Sequence, residues 1–256
     1  MKKVLFSTVT LILAVIVVLA VASTAEAKFR DALNFPDNTF AEMDSMELLH
    51  RYQKISGYNG DTYDHTRLSY KLTYGVMPGF EAGIKLPVIF AEEDLSDDQG
   101  IGDFEIFQKF KFMDAEEGLP EMSGGFALIL PTAESEGGPF MGTSDLDGRF
   151  YATIGQDFAE EVSWLLNAAY RYVGDNDFDD KMSYNAALNV QTGERSKLVL
   201  ELNGWRGGVR DQSEYYASPG LLLQPQDNLS LNISAPVGLN SESADYRGLI
   251  QFAVDF

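Results

Sequence analysis

The sequence predicts an all-β chain, a transmembrane antiparallel up-and-down β-barrel of about 12 strands after an N-terminal signal peptide. Three observations carry this expectation. Lys2 and Lys3 precede an apolar run over 4–22 and the small-residue motif Ala25-Glu26-Ala27, the pattern of a secretory leader cleaved before Lys28. No later apolar run reaches the length of a membrane-crossing helix, so a membrane-spanning body must be built from strands. From residue 46 onward, segments with one apolar and one polar parity succeed each other, and the connections between them are alternately long and short.

The chain divides into a signal peptide (1–27), a periplasmic N-terminal segment (28–45) and the barrel (46–256). The leader's apolar run is also long enough to persist as an uncleaved membrane helix, and either way the chain leaves the cytoplasm. Segment 28–45 holds Pro36, Asn34, Asn38 and unpatterned aromatics, too short for a folded hatch but able to tuck into a lumen. The first strand, 46–55, has the weakest alternation. In 66–77, Leu68, Tyr70, Leu72, Tyr74 and Val76 alternate with Arg67, Ser69, Lys71 and Thr73. The Pro78-Gly79 turn leads into 80–90, where Phe80, Ala82, Ile84, Leu86, Val88 and Phe90 share one parity. Over 100–113, Phe104, Ile106, Phe110 and Phe112 oppose Asp103, Glu105, Lys109 and Lys111. A strand ending near Thr132 follows, then 148–158, 162–173, 181–191, 197–205, 215–223 and 229–237.

The last strand, 246–256, sets Tyr246, Gly248, Ile250, Phe252, Val254 and Phe256 against Arg247, Gln251 and Asp255. It resembles the closing strand of Gram-negative outer-membrane barrels. That resemblance implies that Tyr246, Phe252 and Phe256 form the signal read by the barrel assembly machinery. The final strand of a soluble sandwich is the alternative. Ten or fourteen strands are the fallback counts, since both termini on the periplasmic side require an even number.

The stretch Gly100-Ile101-Gly102-Asp103-Phe104-Glu105-Ile106-Phe107, with the later Leu130-Pro131-Thr132, resembles the outer-membrane transporters of the meta-pathway for phenol degradation. Members carry a Gly-x-Gly-Asp strand opening and a Leu-Pro-Thr, followed by glycine where this chain has Ala133. The resemblance implies a channel for passive uptake of small, apolar or aromatic solutes.

The long connections 56–65, 91–102, 132–147, 174–180, 206–214 and 238–245 together carry a net charge of −17 in a chain of net charge −20. Gathered at one end of a meander they form an extracellular acidic rim, a solvated surface or one that holds divalent cations bridging lipopolysaccharide. Outer-membrane lipids and lipopolysaccharide are thus the expected surroundings. Asp175-Asn176-Asp177-Phe178-Asp179-Asp180 opens like a calcium loop, but the sixth position lacks glycine and Ala186 stands where the bidentate glutamate belongs. No metal and no cofactor are expected. The absence of cysteine excludes disulfides and thiol chemistry, and the acidity argues against nucleic acid.

The polar parity supplies the lumen. Strand directions alternating from a periplasmic start place Arg67, Arg149, Arg171 and Arg247 near the outer mouth, with Lys71, Lys85, Glu105 and Glu201 at mid-height. Glu81, Lys109, Lys111, Asp157, Lys197 and Asp255 lie nearer the periplasm. The four arginines either bridge to inward-folded acidic loops or form a positive constriction. The functional reading is a channel for a small-molecule solute. The alternatives are a non-conducting structural or adhesive barrel and, less favoured, a lipid-modifying enzyme. Of the two histidines, neither His50 nor His65 stands in the His-x-Ser pattern of an outer-membrane phospholipase, and no catalytic residue is assigned.

Overall fold

Which face of each strand meets solvent decides between barrel and sandwich. The structure, a computed structural model, describes residues 32, 41, 43–56, 64–93, 96–116, 119–133, 142–176, 178–207 and 213–256. On the strand Ser196–Arg206, Leu198, Leu200 and Leu202 are 52%, 50% and 54% exposed, whereas Val199, Glu201 and Asn203 between them are 4%, 0% and 6% exposed. A soluble sandwich would bury the leucines. A sheet that turns leucines outward and closes around glutamate and asparagine has lipid as its outer solvent.

The strands are β1 (Met46–Ser56), β2 (Asp64–Met77), β3 (Phe80–Glu93), β4 (Ser96–Ile101), β5 (Phe104–Met113), β6 (Glu121–Leu130) and β7 (Asp147–Ala159). They continue as β8 (Val162–Tyr172), β9 (Lys181–Gly193), β10 (Ser196–Arg206), β11 (Ser213–Gln226), β12 (Leu229–Ser234), β13 (Val237–Gly238) and β14 (Tyr246–Asp255). Each pairs antiparallel with its neighbours, and β14 returns to β1, so the sheet closes. Two barrel strands are each broken in two. β4 and β5 run along the same strand β3, with a register step at Gly102-Asp103. β12 and β13 share one register against β11 and β14, interrupted at Ala235-Pro236, where proline has no N–H to give the ladder. Counted as barrel strands, the fourteen segments make the closed twelve-stranded antiparallel barrel of an outer-membrane protein.

Several boundaries differ from the sequence expectation. In place of a long loop over 91–102, β3 runs to Glu93 and β4 starts at Ser96, pairing as far as Glu93↔Ser96. Acidic side chains mask that strand because period two is sought in hydrophobicity, while strands beyond the lipid need none. The strand expected over 100–113 is split at Gly102-Asp103, and that over 229–237 at Ala235-Pro236. The weakly patterned β1 forms its full length, held by β2 on one side and β14 on the other. Residues 1–27, assigned to the signal peptide, lie outside the described residues. Of the N-terminal segment, Ala32 is 3% exposed and lines the lumen, the Ala41 N–H donates to Glu81 at 2.9 Å, and Met43 bridges Gly75.

Inside, packing follows the register. Leu165, Ala187, Val199 and Leu222, from β8 to β11, form a buried apolar cluster in the periplasmic half. One row nearer the outer mouth, Asn167 donates to Thr153 at 2.9 Å, Asn185 to Asn167 at 3.1 Å, and Asn203 to Asn185 at 3.2 Å. Ser218 donates to Asn203 at 2.6 Å, completing a hydrogen-bonded belt across five neighbouring strands. Each member partners the next, so the belt costs little to bury and stiffens the wall.

Such closure should be visible on a gel, where unheated protein is expected to migrate separately from boiled protein. A single band at both temperatures would contradict a closed barrel. Closure also involves the terminal residue, since Met46 N–H donates to the Phe256 carbonyl at 2.8 Å and Phe256 N–H to the Met46 carbonyl at 2.9 Å. Its ring packs with Leu48 and Leu229 against the fully buried Val254. Deleting Phe256 should therefore lower the membrane-inserted, heat-modifiable fraction. Unchanged insertion would show that the seam does not depend on it.

Candidate functional site in the lumen

The barrel encloses a cavity of about 360 Å³. Among the described residues its walls carry Arg51, Lys71, Lys85, Lys109, Arg149, Lys181 and Arg247, against a single carboxylate, Glu105. For a chain of net charge −20 this is an inversion, obtained by placing acid on the rim and base within. The other lining groups are mostly small and polar, among them Asn167, Asn185, Asn203 and Ser183, with the rings of Phe107, Tyr151, Trp205 and Tyr216.

Of the expected lumen residues, Lys71, Lys85, Glu105, Arg149 and Arg247 line the cavity, whereas Arg67, Arg171 and Glu201 do not. Glu105 is shared, since Arg149 Nη2 pairs with its Oε1 and Lys85 Nζ lies 3.8 Å from its Oε2. Lys71 sits over the Phe107 ring at 4.6 Å. Arg171 reaches Asp147 through Nε at 2.9 Å and also through Nη2. Arg247 donates to Glu214 at 2.8 Å and to the Tyr216 hydroxyl at 2.7 Å. Arg67 has a buried Nε without a hydrogen-bond partner. Glu201 is fully buried and accepts from Asn203 at 3.3 Å, and it does not line the cavity. Three of the four arginines, Arg149, Arg171 and Arg247, bridge carboxylates. Asp147 and Glu214 end the acidic connections expected over 132–147 and 206–214 and open β7 and β11, whereas Glu105 stands on β5, two strands from Arg149.

Three groups lie outside the sequence-based expectation. Arg51 sits on the weakly patterned strand β1, where Leu49, Arg51 and Gln53 all line the cavity. Lys181 opens the row Lys181, Ser183, Asn185, whose polar parity is the available signal. The third is an aromatic cluster. Trp205 and Tyr216 stack with ring centroids 5.0 Å apart, and the Arg247 guanidinium lies 4.6 and 4.0 Å from them. Lys181 covers Trp205 at 4.8 Å. The Tyr216 hydroxyl donates to Glu214 at 2.6 Å and accepts from the Ala244 N–H at 2.8 Å, which ties the segment before β14 to the mouth.

The two short motifs that mark residues 100–132 meet in space. Thr132 Oγ1 accepts from the Phe104 N–H at 2.8 Å and donates to the Gly102 carbonyl at 3.4 Å, bridging the break between β4 and β5. Asp103, 7% exposed, accepts from the N–H groups of Ala133 (3.1 Å) and Thr143 (2.8 Å). At the rim, hydrogen bonds from the Tyr170 hydroxyl and the Val173 N–H hold the Asp180 carboxyl below the usual carboxylate range. Among the described residues no cluster of three or more His, Cys, Asp or Glu side chains is arranged to hold a metal ion.

A closed barrel with a lipid-compatible exterior and a narrow, polar, cation-lined interior defines an outer-membrane β-barrel protein of porin-like architecture. The chain belongs to the family described as "Putative MetA-pathway of phenol degradation", whose model matches residues 49–256. Among solved structures it resembles an outer membrane channel from Pseudomonas putida F1, with a TM-score of 0.70 at 16% identity, covering 88% of this chain and 100% of that one. The KdgM porin matches with a TM-score of 0.57 at 12% identity, covering 82% of this chain and 99% of that one. The translocator domain of the autotransporter NalP from Neisseria meningitidis matches with a TM-score of 0.52 at 8% identity, covering 83% of this chain and 88% of that one. No curated protein matches the chain.

Proposed function

We propose that this protein is a passive outer-membrane channel for small solutes, with a lumen that favours anions. The observation that carries the reading is the cavity wall, where the described residues supply seven basic side chains against one acidic. Wall charges in a narrow, low-dielectric passage act more strongly than rim charges bathed in salt, so the cations inside outweigh the acidic loops. The family description, phenol degradation, supports a small aromatic solute. The conduit performs no chemistry; it is set in lipopolysaccharide and outer-membrane lipid and inserted by the barrel assembly machinery.

Planar-bilayer reversal potentials test it. The wild-type channel should be weakly anion-selective. Changing Arg149 and Arg171 together to Ala removes two cations and leaves the Glu105 and Asp147 carboxylates without these partners. The reversal potential should then change sign, toward cations. Absence of conductance in both proteins would favour a non-conducting structural barrel.

A further inference from the structure

The cations that line the lumen differ in how completely the protein satisfies them. Lys109 faces Glu81 at 3.8 Å, and both side chains are closed off from the passage. Arg247 is held by Glu214, the Tyr216 hydroxyl and two rings. Nearer the outer mouth than Lys109, the wall is built otherwise. Lys71, Lys85 and Glu105 stand side by side in one row across β2, β3 and β5. Arg149 reaches the same carboxylate from β7. Three cations around one carboxylate leave positive charge in excess. Lys71 and Lys85 are directly opposite each other, and like charges so placed repel unless an anion lies between them.

This row turns its donors toward the cavity. The Lys85 and Arg149 side chains are 29% and 28% exposed and that of Glu105 is 8% exposed, so the cations stand in front of the acid. The Lys85 ammonium lies 3.8 Å from Glu105 Oε2, beyond hydrogen-bond length, and makes no hydrogen bond among the described residues. Arg149 gives Glu105 its Nη2, while a guanidinium carries five N–H groups in a flat fork that fits a carboxylate two at a time. The Lys71 ammonium lies 4.6 Å above the ring of Phe107, the next inward residue of β5 after Glu105. All four charged groups line the cavity.

We propose that Lys71, Lys85 and Arg149 form a binding site for the carboxylate of a small organic monoanion, with Glu105 as a tethered counter-ion that competes with it. A carboxylate is the chemistry this site already takes, since Lys85 and Arg149 both face one on Glu105. Glu105 limits the affinity. The excess positive charge draws a solute in, and the resident acid, holding part of the same donors, lets it leave again, as a conducting passage requires. The site deepens the channel reading and rests on it, since it names the solute class that the lumen favours.

Folded, heat-modifiable protein in non-ionic detergent at low ionic strength would be titrated with propionate, binding being followed by broadening of the propionate proton resonances. Propionamide, of similar shape and without the charge, is the control. The expected result is saturable broadening with propionate that added salt weakens, and none with propionamide. Lys85→Gln and Arg149→Gln should each lower propionate affinity at least fivefold. Glu105→Gln should raise it at least fivefold, because the competing charge goes while the side chain keeps its size, and a folding defect cannot imitate that gain. Arg195→Gln, which removes a cation from a periplasmic turn where it pairs with Asp227, should leave the affinity unchanged.

No saturable response to propionate would overturn the site, as would equal binding of propionamide or an equal loss in Arg195→Gln. Unchanged or weaker binding in Glu105→Gln would overturn it too, by showing that the glutamate organises the cations and does not compete with the solute. Bilayer recordings separate this from the channel reading. A conducting protein that does not bind propionate refutes the site alone, and one that binds but never conducts refutes the channel.

Discussion

Gly125→Val is expected to abolish the assembled barrel. Gly125 is an inward position of β6, opposite Lys109 on β5 and Tyr151 on β7. A Cβ built there would lie 2.2 Å from the Gln108 carbonyl oxygen and 2.5 Å from the Tyr151 hydroxyl. The tyrosine could swing away, but the carbonyl belongs to the ladder and cannot retreat without breaking strand pairing. Overpacking an ordinary core costs about 1–3 kcal/mol, and a clash with ladder backbone costs more, a large part of the roughly 5–15 kcal/mol that holds a domain folded. Gly83 is built alike, with its Cβ site 2.2 Å from the Leu72 carbonyl and 2.4 Å from the Phe107 ring. Gly248 provides the contrast, because it faces outward and has nothing within 4 Å of its Cβ site. In outer-membrane fractions, Gly125→Val should give almost no heat-modifiable protein and Gly248→Val the wild-type amount. Equal yields would show that the inward Gly–aromatic pairs are not needed.

Asp103→Ala should leave the barrel closed but free the segment that follows β6. The Asp103 carboxylate accepts from Ala133 and Thr143, and a Cβ at Gly142 would lie 2.3 Å from it, so the loop backbone rests directly on the acid. Each backbone donor left without this partner loses roughly 1–3 kcal/mol. The β5 edge itself keeps its cap, because the Phe104 N–H is held by Thr132. Amide exchange at Ala133 and Thr143 should accelerate about 10- to 100-fold, since about 1.4 kcal/mol corresponds to a factor of ten in the local opening equilibrium. Amides inside β5 and β6 should not change. Asp103→Asn, which keeps one carbonyl acceptor, should fall between. Unaltered exchange in Asp103→Ala would mean that the loop is held by other contacts.

Much of this molecule is determined by local periodicity. Alternation along β2, β5 and β10 assigns every inward and outward side chain, because a strand's side chains must point to opposite faces and lipid accepts only one kind. The inward identity of Arg67, Lys85, Glu105, Arg149 and Arg247 follows from the same parity. Alternating loop lengths give the meander, and family resemblance in residues 100–132 marks a place that proves structural.

Register decides the rest, and it is set by neighbours far apart in the chain. Whether Arg149 meets Glu105 or a loop acid depends on the stagger of β5, β6 and β7, which no single strand records. The acidic ends of β3 and β4 form strands without an apolar face because their ladder is extended from the barrel below. Sequence thus determines what each wall residue shows to the lumen or the lipid, and the closed tertiary structure determines which of them meet, because cross-strand distance depends on stagger rather than on parity.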